Sequence, residues 1–211
     1  MKRESSCTIC RRLHQKLLLK GSKCFSVKCP FIKKSYPPGF QKKRGRKGAS
    51  AYKKELFEKQ KMKEFYNLSE KQFKNYVREI LKKRGKIKDA SLELVKKLEK
   101  RLDNVIFRLN LVPSRINARQ LVTHGFFLVN GRSVNIPSYE VKKRELISLK
   151  ETKKKKEIYK EIYSLIQKEV SIPSWLKLDK KELKTEIIGE PSLEEVNLPL
   201  EISAVFEYYS R

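Results

Sequence analysis

The chain has 211 residues, and its 51 lysines and arginines exceed its 24 aspartates and glutamates, which gives a net charge of +27. A charge of this size opposes compaction by self-repulsion, so we expect the protein to work with a bound polyanion, and nucleic acid is the first candidate. Apolar residues (39%) suffice for a modest core, which excludes a purely disordered basic tail. The longest apolar stretches, Leu17–Leu19 and Phe126–Val129, are far shorter than the roughly 20 residues that span a bilayer, and the amino terminus has no apolar signal segment. We therefore expect neither a membrane protein nor a secreted one.

The four cysteines lie near the amino terminus as C-x2-C, a gap of thirteen residues, and C-x4-C: Cys7, Cys10, Cys24 and Cys29. Two short-spaced pairs can bring four thiolates to about 2.3 Å from one tetrahedral ion, so the spacing predicts a structural zinc knuckle that holds one Zn²⁺. His14 could replace one sulfur as a ligand, but because four sulfurs already fill the coordination shell, it is expected to face solvent or phosphate. Free thiols, disulfides and a redox-active CxxC at Cys7 and Cys10 stay open as alternatives.

Residues 31–50 are rich in proline, glycine, lysine and arginine and poor in apolar side chains. This composition predicts an extended basic linker that lies along phosphates, and a solvated tether is the alternative. We place the zinc knuckle and basic linker at residues 1–45.

Residues 46–100 are predicted to form a helical lobe. Ser69 and Gln72 have the spacing of a capping box, and Gly85 stands where a helix commonly ends. The predicted helix between Ser69 and Gly85 has one apolar face, and its opposite face is almost entirely basic. Such a face is often merely solvated, but its single sign favours phosphate contact.

A second helix is predicted over residues 92–111, before Pro113. Ser114 is then expected to cap a short helix that stops at Gly125. Two strands follow, joined by Asn130-Gly131, the dipeptide best suited to a type I′ turn. The sequence ELISL predicts one more strand, and we place an RNA-binding module at residues 101–162.

The remaining segment, residues 163–211, is expected to pack back on the other lobes. A helix around Ile162 and Ile166 precedes Trp175, which is interpreted as a packing anchor more than as a base-stacking surface. The tail from Leu193 is acidic and apolar, unlike the rest of the chain. The predicted fold class is α+β: a zinc knuckle and helical lobe plus a small α/β module of two helices and a hairpin-rich sheet.

The stretch RLDNVIFRLNLVPSRINARQLVTHGFFLVNGRSVNIPSYEV resembles the RNA-binding module named after small-subunit ribosomal protein four. The order of the four-cysteine cluster, the YPPG segment at Tyr36–Gly39, EKQKMKEFYNLSEKQF and the closing FEYYSR is similar to the zinc-bearing bacterial form of that family over nearly the whole chain.

The resemblance implies a structural protein of the bacterial cytoplasmic ribosome, with no small-molecule substrate. It further implies that the chain binds the 5′ domain of 16S-type rRNA early and nucleates assembly of the small subunit. Its expected partners are ribosomal proteins five and three and mRNA where it enters the subunit, and with protein five it would influence translational accuracy.

Three places depart from the family pattern. FQKKRG follows Gly39 where the family has a Gln-His-Gly loop, Lys143–Glu145 lack a glycine before the last strand, and Phe126 and Phe127 follow Gly125 where a histidine is usual. We expect a differently built turn at Lys143–Glu145 and packing in place of a polar contact at the phenylalanines.

Two other classes share parts of this pattern: an RNA-modifying enzyme or heat-shock-type rescue factor carrying this module, and a DNA-binding zinc protein. No nucleotide-binding or hydrolase motif occurs in the sequence, so we expect no catalytic residue. Asp103 is interpreted as an ion-pair partner of neighbouring arginines and not as the catalytic aspartate of a pseudouridine synthase. Arg101 and Arg108 are also expected to brace the helix that carries them. The candidate RNA contacts are Arg44, Arg46, Lys47, Tyr52, Lys59, Lys61, Arg78, Lys83, Arg101, Arg108, Arg115, Arg119, Gln120, His124, Asn130 and Arg132.

Overall fold

The protein is represented by a computed structural model of the chain. It describes residues 5–39, 50–83, 85, 87–153, 157–166, 171–180, 182–196, 198 and 200–210. The chain divides into two compact units: unit 1 comprises Met1–Ser91 and Leu198–Arg211, and unit 2 comprises Leu92–Asn197. These units cut across the predicted boundaries, because residues 163–197 belong to unit 2 while the closing residues belong to unit 1.

Unit 1 begins with three short helices, α1 (Ser6–Arg12), α2 (Ser22–Phe25) and α3 (Pro30–Lys33). Two longer helices follow, α4 (Ala51–Phe65) and α5 (Glu70–Lys82). The capping box predicted at α5 is confirmed: the Ser69 hydroxyl accepts from the Gln72 N–H, and the Gln72 side chain accepts from the Ser69 N–H. Helix α5 ends at Lys82, before Gly85, and buries Phe73, Val77 and Ile80.

The closing helix α11 (Ile202–Ser210) packs against α4 and α5, as expected for a tail that folds back. The Tyr208 ring lies 5.7 Å from the Tyr52 ring, measured between centroids, and the Tyr209 hydroxyl donates to Glu70. These contacts join the closing segment of the chain to the two longer helices of unit 1.

Unit 2 begins with α6 (Ala90–Glu99) and α7 (Leu102–Arg108), although α6 starts within unit 1. The prediction of one continuous helix over 92–111 was wrong. Arg101 is extended and pairs with Glu140 in an isolated β-bridge, and the Leu102 N–H donates to the Tyr139 carbonyl. The backbone thus exchanges helical hydrogen bonds for bonds to a distant segment.

Helix α8 (Arg115–Thr123) has both of its predicted ends. The Ser114 hydroxyl accepts from the Asn117 N–H at the start. At the other end, Gly125 has φ of +65°, and the N–H groups of Gly125 and Phe126 donate to the carbonyls of Val122 and Leu121. These two bonds form a Schellman motif, in which a glycine adopts the left-handed conformation at low cost.

The strands of unit 2 form one antiparallel sheet in the order β2-β1-β3-β5-β4. Strands β1 (Phe127–Val129) and β2 (Arg132–Ser133) form the predicted hairpin, and positive φ at both Asn130 and Gly131 confirms the type I′ turn. Strand β3 (Leu146–Leu149) corresponds to ELISL. The 3₁₀ turn at Glu151–Lys153 and helix α9 (Glu157–Ile166) follow.

Strands β4 (Leu176–Asp179) and β5 (Lys184–Ile187) extend the sheet on the side of β3. Sequence reasoning missed both strands, although Leu176 and Leu178, and Thr185 and Ile187, alternate with polar residues as half-buried strands do. Trp175, 2% exposed, lies in the core of unit 2 as a packing residue. The short helix α10 (Leu193–Val196) completes the unit.

The departures at the turn and at the phenylalanines have clear structural counterparts. Arg144 takes the place of a turn glycine with φ of +70°, and its N–H donates to the Ile187 carbonyl. The Glu145 carboxylate closes the turn by accepting from the Lys142 N–H and the Tyr139 hydroxyl. Phe126 and Phe127 are buried in the core.

The architecture is mixed helical with an antiparallel sheet, which confirms the α+β class. Among the described residues, no helix combines the length and apolarity that crossing a bilayer requires.

Candidate nucleic-acid interface and cysteine cluster

The four cysteines come from the three short helices at the start of unit 1. Cys7 and Cys10 lie one turn apart on α1, Cys24 lies on α2, and Cys29 precedes α3. All four are free thiols, and all except Cys7 are buried. The spacing therefore positions two pairs of thiols at helix ends, where the backbone can approach the sulfurs.

All four thiols border one small cavity of about 10 Å³. Burial raises the pKa of the Cys10 thiol, and the nearby Cys24, Cys7 and Cys29 add to that rise, against a hydrogen bond with the Leu17 backbone. The Lys20 N–H donates to the Cys24 sulfur at 3.3 Å. As placed, no three His, Cys, Asp or Glu side chains among the described residues form a metal-coordinating group, so the zinc site stays a prediction. The donor set itself, four thiols around one cavity, suits zinc.

Two of the arginines predicted to contact RNA lie in the interior of unit 2. Arg101 is 1% exposed, and its guanidinium donates two hydrogen bonds to the Asp103 carboxylate, at 3.1 and 2.7 Å. Asp103 is thus the ion-pair partner that the sequence suggested. Arg115 is also buried, with its Nε 2.7 Å from Asn104 Oδ1 and its guanidinium carbon 4.3 Å from the centroid of the Phe107 ring. The structure therefore places both guanidinium groups in the interior of unit 2, whereas the sequence predicted them at the RNA interface.

Arg108 belongs to the same polar network. It makes a bidentate contact with Glu99, at 2.8 and 2.9 Å, and Glu99 is fully buried. Asn104 Nδ2 also donates to Glu99, at 2.7 Å. Asn104 thus contacts Arg115 directly and is linked to Arg108 through the Glu99 carboxylate. Arg101 and Arg108 therefore brace α7, and charge-assisted bonds of this kind are stronger than neutral ones.

In unit 1, Lys59 was predicted to contact RNA, but its side chain is buried, with 4% exposure. Its ammonium lies 2.7 Å from Glu70 Oε1 and 4.6 Å from the centroid of the Tyr208 ring. Burial acts to raise the pKa of Glu70, but hydrogen bonds from Lys59 and Tyr209 outweigh it and leave that pKa lowered. Lys59 fastens α11 to α4 and α5 and is not presented to RNA.

The other predicted residues lie nearer the surface. Asn130 is exposed, yet its side-chain oxygen accepts from the Leu146 N–H at 2.9 Å and so fixes the hairpin to β3. Lys61 is partly buried and pairs with Glu58, and Lys83 pairs with Glu79. Arg119 is partly exposed, while the exposed members are Tyr52, Arg78, Lys83, Gln120, His124, Asn130 and Arg132. Arg44, Arg46 and Lys47 lie outside the described residues.

Within unit 2, Arg119 and Gln120 lie on α8, His124 directly follows that helix, and Arg132 lies on β2 of the hairpin. One further polar residue, Asn117, lies on α8 one turn before Gln120 and lines the same cavity as Gln120 and His124. Sequence reasoning missed Asn117, although its spacing of three and seven residues from the other two was visible in the chain.

Comparisons with known proteins cover nearly the whole chain. Residues 2–99 match the family described as Ribosomal protein S4/S9 N-terminal domain, and residues 100–147 match the S4 domain. A small ribosomal subunit protein uS4 from Thermodesulfovibrio yellowstonii is 41% identical over 207 residues, covering 98% of this chain and 97% of the relative. The uS4 protein from Fervidobacterium nodosum is 43% identical over 206 residues, covering 97% and 96%. The one from Clostridium tetani is 40% identical over 208 residues, covering 99% and 98%.

Proposed function

The chain belongs to the uS4 family of small ribosomal subunit proteins, and from that premise we propose that it binds the 5′ domain of the small-subunit rRNA as a structural constituent of the bacterial ribosome. The family is one of ribosomal structural proteins, and the chain is not an enzyme. The observation that carries the proposal is the match of both family domains, joined to a net charge of +27. Phosphates would bind chiefly to lysine and arginine, with selectivity from RNA shape and unpaired bases.

In unit 2 the proposed contacts are the exposed or partly exposed Arg119, Gln120, His124 and Arg132. In unit 1 they are Tyr52, Arg78, Lys83 and Lys61, together with Arg44, Arg46 and Lys47. We further propose that the chain binds the rRNA early and nucleates assembly of the small subunit. There it would contact ribosomal proteins five and three and the incoming mRNA, and through protein five it would influence translational accuracy.

The test is binding of the full chain to a 5′-domain rRNA transcript across a salt series. Affinity should fall log-linearly with salt, with a slope of several units, because phosphate contacts release counterions. The double variant Arg119→Ala and Arg132→Ala should weaken binding and reduce the slope by about 1 for each phosphate that the variant no longer binds.

The control is the double variant Lys177→Ala and Lys180→Ala, which removes the same number of positive charges. Both lysines are exposed and lie at the β4 edge of the sheet, whereas Arg132 lies on β2 at the opposite edge. We expect this control to bind more tightly than the arginine double variant. A flat salt response of the unaltered protein would refute the electrostatic account, and equal losses of affinity in the two variants would refute the placement of the phosphate-binding residues on α8 and the hairpin.

For the cysteine cluster, we infer one structural Zn²⁺ held by Cys7, Cys10, Cys24 and Cys29. Four thiols at one cavity and a backbone N–H that donates to a sulfur support this inference. When bound, the ion would cross-link three short helices that bury little apolar surface. Protein purified under reducing conditions should contain one zinc per chain, and its absence after zinc-supplemented expression would refute the inference.

A further inference from the structure

Unit 2 contains a cavity of about 320 Å³ beside α8. Its floor is apolar and buried: Leu111, Val112, Leu121 and Phe126 are each 3 to 7% exposed. Ile162 and Leu165 of α9 close the other side. The volume is at the lower end of the range of small-ligand sites, about 300–1,000 Å³, and is large enough for a flat heterocycle.

The rim of the cavity is polar along one stripe of α8. Asn117, Gln120 and His124 are all exposed and all line the cavity, at the spacing that aligns side chains on one helix face. Each amide carries both a donor and an acceptor, the combination that pairs with the polar edge of a nucleobase. An apolar floor under such a rim suits a molecule with flat apolar faces and a hydrogen-bonding edge.

One cation lies near a wall of the cavity. The Lys153 ammonium lies 5.3 Å from the centroid of the Phe126 ring, which forms part of the wall. The described lining residues include no carboxylate. A cation beside an aromatic wall matches the phosphate of a nucleotide whose base stands against that wall.

We propose that this cavity receives one unpaired RNA base, extruded from its stack and held between the floor and the amide stripe of α8. The proposal rests on the proposed rRNA-binding function and deepens it, since it names a site for base recognition in addition to phosphate contact. Unpaired bases of this kind are the usual targets of sequence-specific RNA recognition.

The test is chemical probing of the 5′-domain transcript bound to the full chain. Dimethyl sulfate and a carbodiimide report base edges, and hydroxyl radicals report the backbone. The unaltered protein should protect at least one unpaired base. In the double variant Asn117→Ala and Gln120→Ala, that base should regain its reactivity while the backbone protection persists at saturating protein. Affinity should fall about ten-fold, the effect of removing one good hydrogen-bonded base pairing.

Thr123→Ala is the matched control, because Thr123 is an exposed residue of the same helix that does not line the cavity. It should protect the same base as the unaltered protein. Identical base reactivity in the double variant and the unaltered protein, with the backbone footprint present, would overturn the base site. Loss of every footprint in the unaltered protein would instead overturn the proposed function, and the base site with it.

Discussion

In residues 5–39 the buried apolar side chains are three leucines and three cysteines, whereas unit 2 has a core that draws on helices α7 to α9 and all but one of the strands. The charges differ as well. Residues 5–39 contain basic side chains and no carboxylate, while unit 2 pairs the buried Arg101 with Asp103 and the partly buried Arg108 with Glu99. We therefore expect residues 5–39 to depend on the proposed zinc ion and unit 2 to fold on its own contacts.

The largest expected effect is that of removing the proposed zinc ion from residues 5–39. Treating the full chain with a chelator should abolish amide-exchange protection there, because a structural zinc site contributes about 10 kcal/mol or more to folding. Peptides from unit 2, which has no cysteine, should keep their protection. Hydrogen exchange resolved by peptide measures both. Unchanged protection in residues 5–39, or equal losses of protection in both regions, would show that the two regions do not differ in their dependence on metal.

A smaller effect is expected from the buried ion pair of unit 2. Asp103→Asn leaves the Arg101 guanidinium buried without its counter-charge and should lower the free energy of unfolding by about 3–5 kcal/mol. Denaturant unfolding followed by circular dichroism measures the change. The control is Glu182→Gln, which breaks an exposed pair with Lys184 in the same unit, also at 2.7 Å. The control should unfold like the unaltered protein, and equal destabilisation of both variants would mean that burial does not govern the cost.

The smallest effect concerns pH. Hydrogen bonds from Lys100 and Lys96 lower the pKa of Glu190 to about 2. A lowered carboxyl pKa contributes stability that is present above the unfolded value of about 4.5 and is lost as pH falls through the folded value. Glu190→Gln should therefore lower the stability of unit 2 at pH 7 and converge with the unaltered protein near pH 2. Because the Glu190 side chain is half-exposed, the difference should stay under about 1 kcal/mol.

Urea midpoints between pH 7 and pH 3 check this prediction. Residues 5–39 have no carboxylate, so their exchange protection should show no difference between the two proteins at any pH in that range. A gap between the proteins that grows as the pH falls would contradict the sign of the effect.

The sequence predicted the features whose hydrogen bonds join near neighbours. The Ser69 capping box, the Ser114 cap, the Gly125 helix end and the Asn130-Gly131 turn each depend on a few adjacent residues, and the structure contains all four. The burial of Trp175 and the docking of the closing helix followed from composition, because apolar segments in a basic chain need protein to pack on. Family membership followed from the order of motifs along the chain.

Tertiary structure alone decided the features that depend on distant partners. Helices α6 and α7 are separate because Arg101 pairs with Glu140. Strand β5 forms by pairing with the free edge of β3, and β4 forms by pairing with β5. The same holds for the cations. In the sequence, Arg115 and Arg119 lie one helical turn apart and look alike as exposed cations. In the structure, Arg115 is buried against Phe107 and Asn104, while Arg119 stays partly exposed. A sequence shows how many charges a chain carries, but only the fold determines which of them find a buried partner and which face a polyanion, since an arginine can be buried only where a counter-charge or acceptor is already in place.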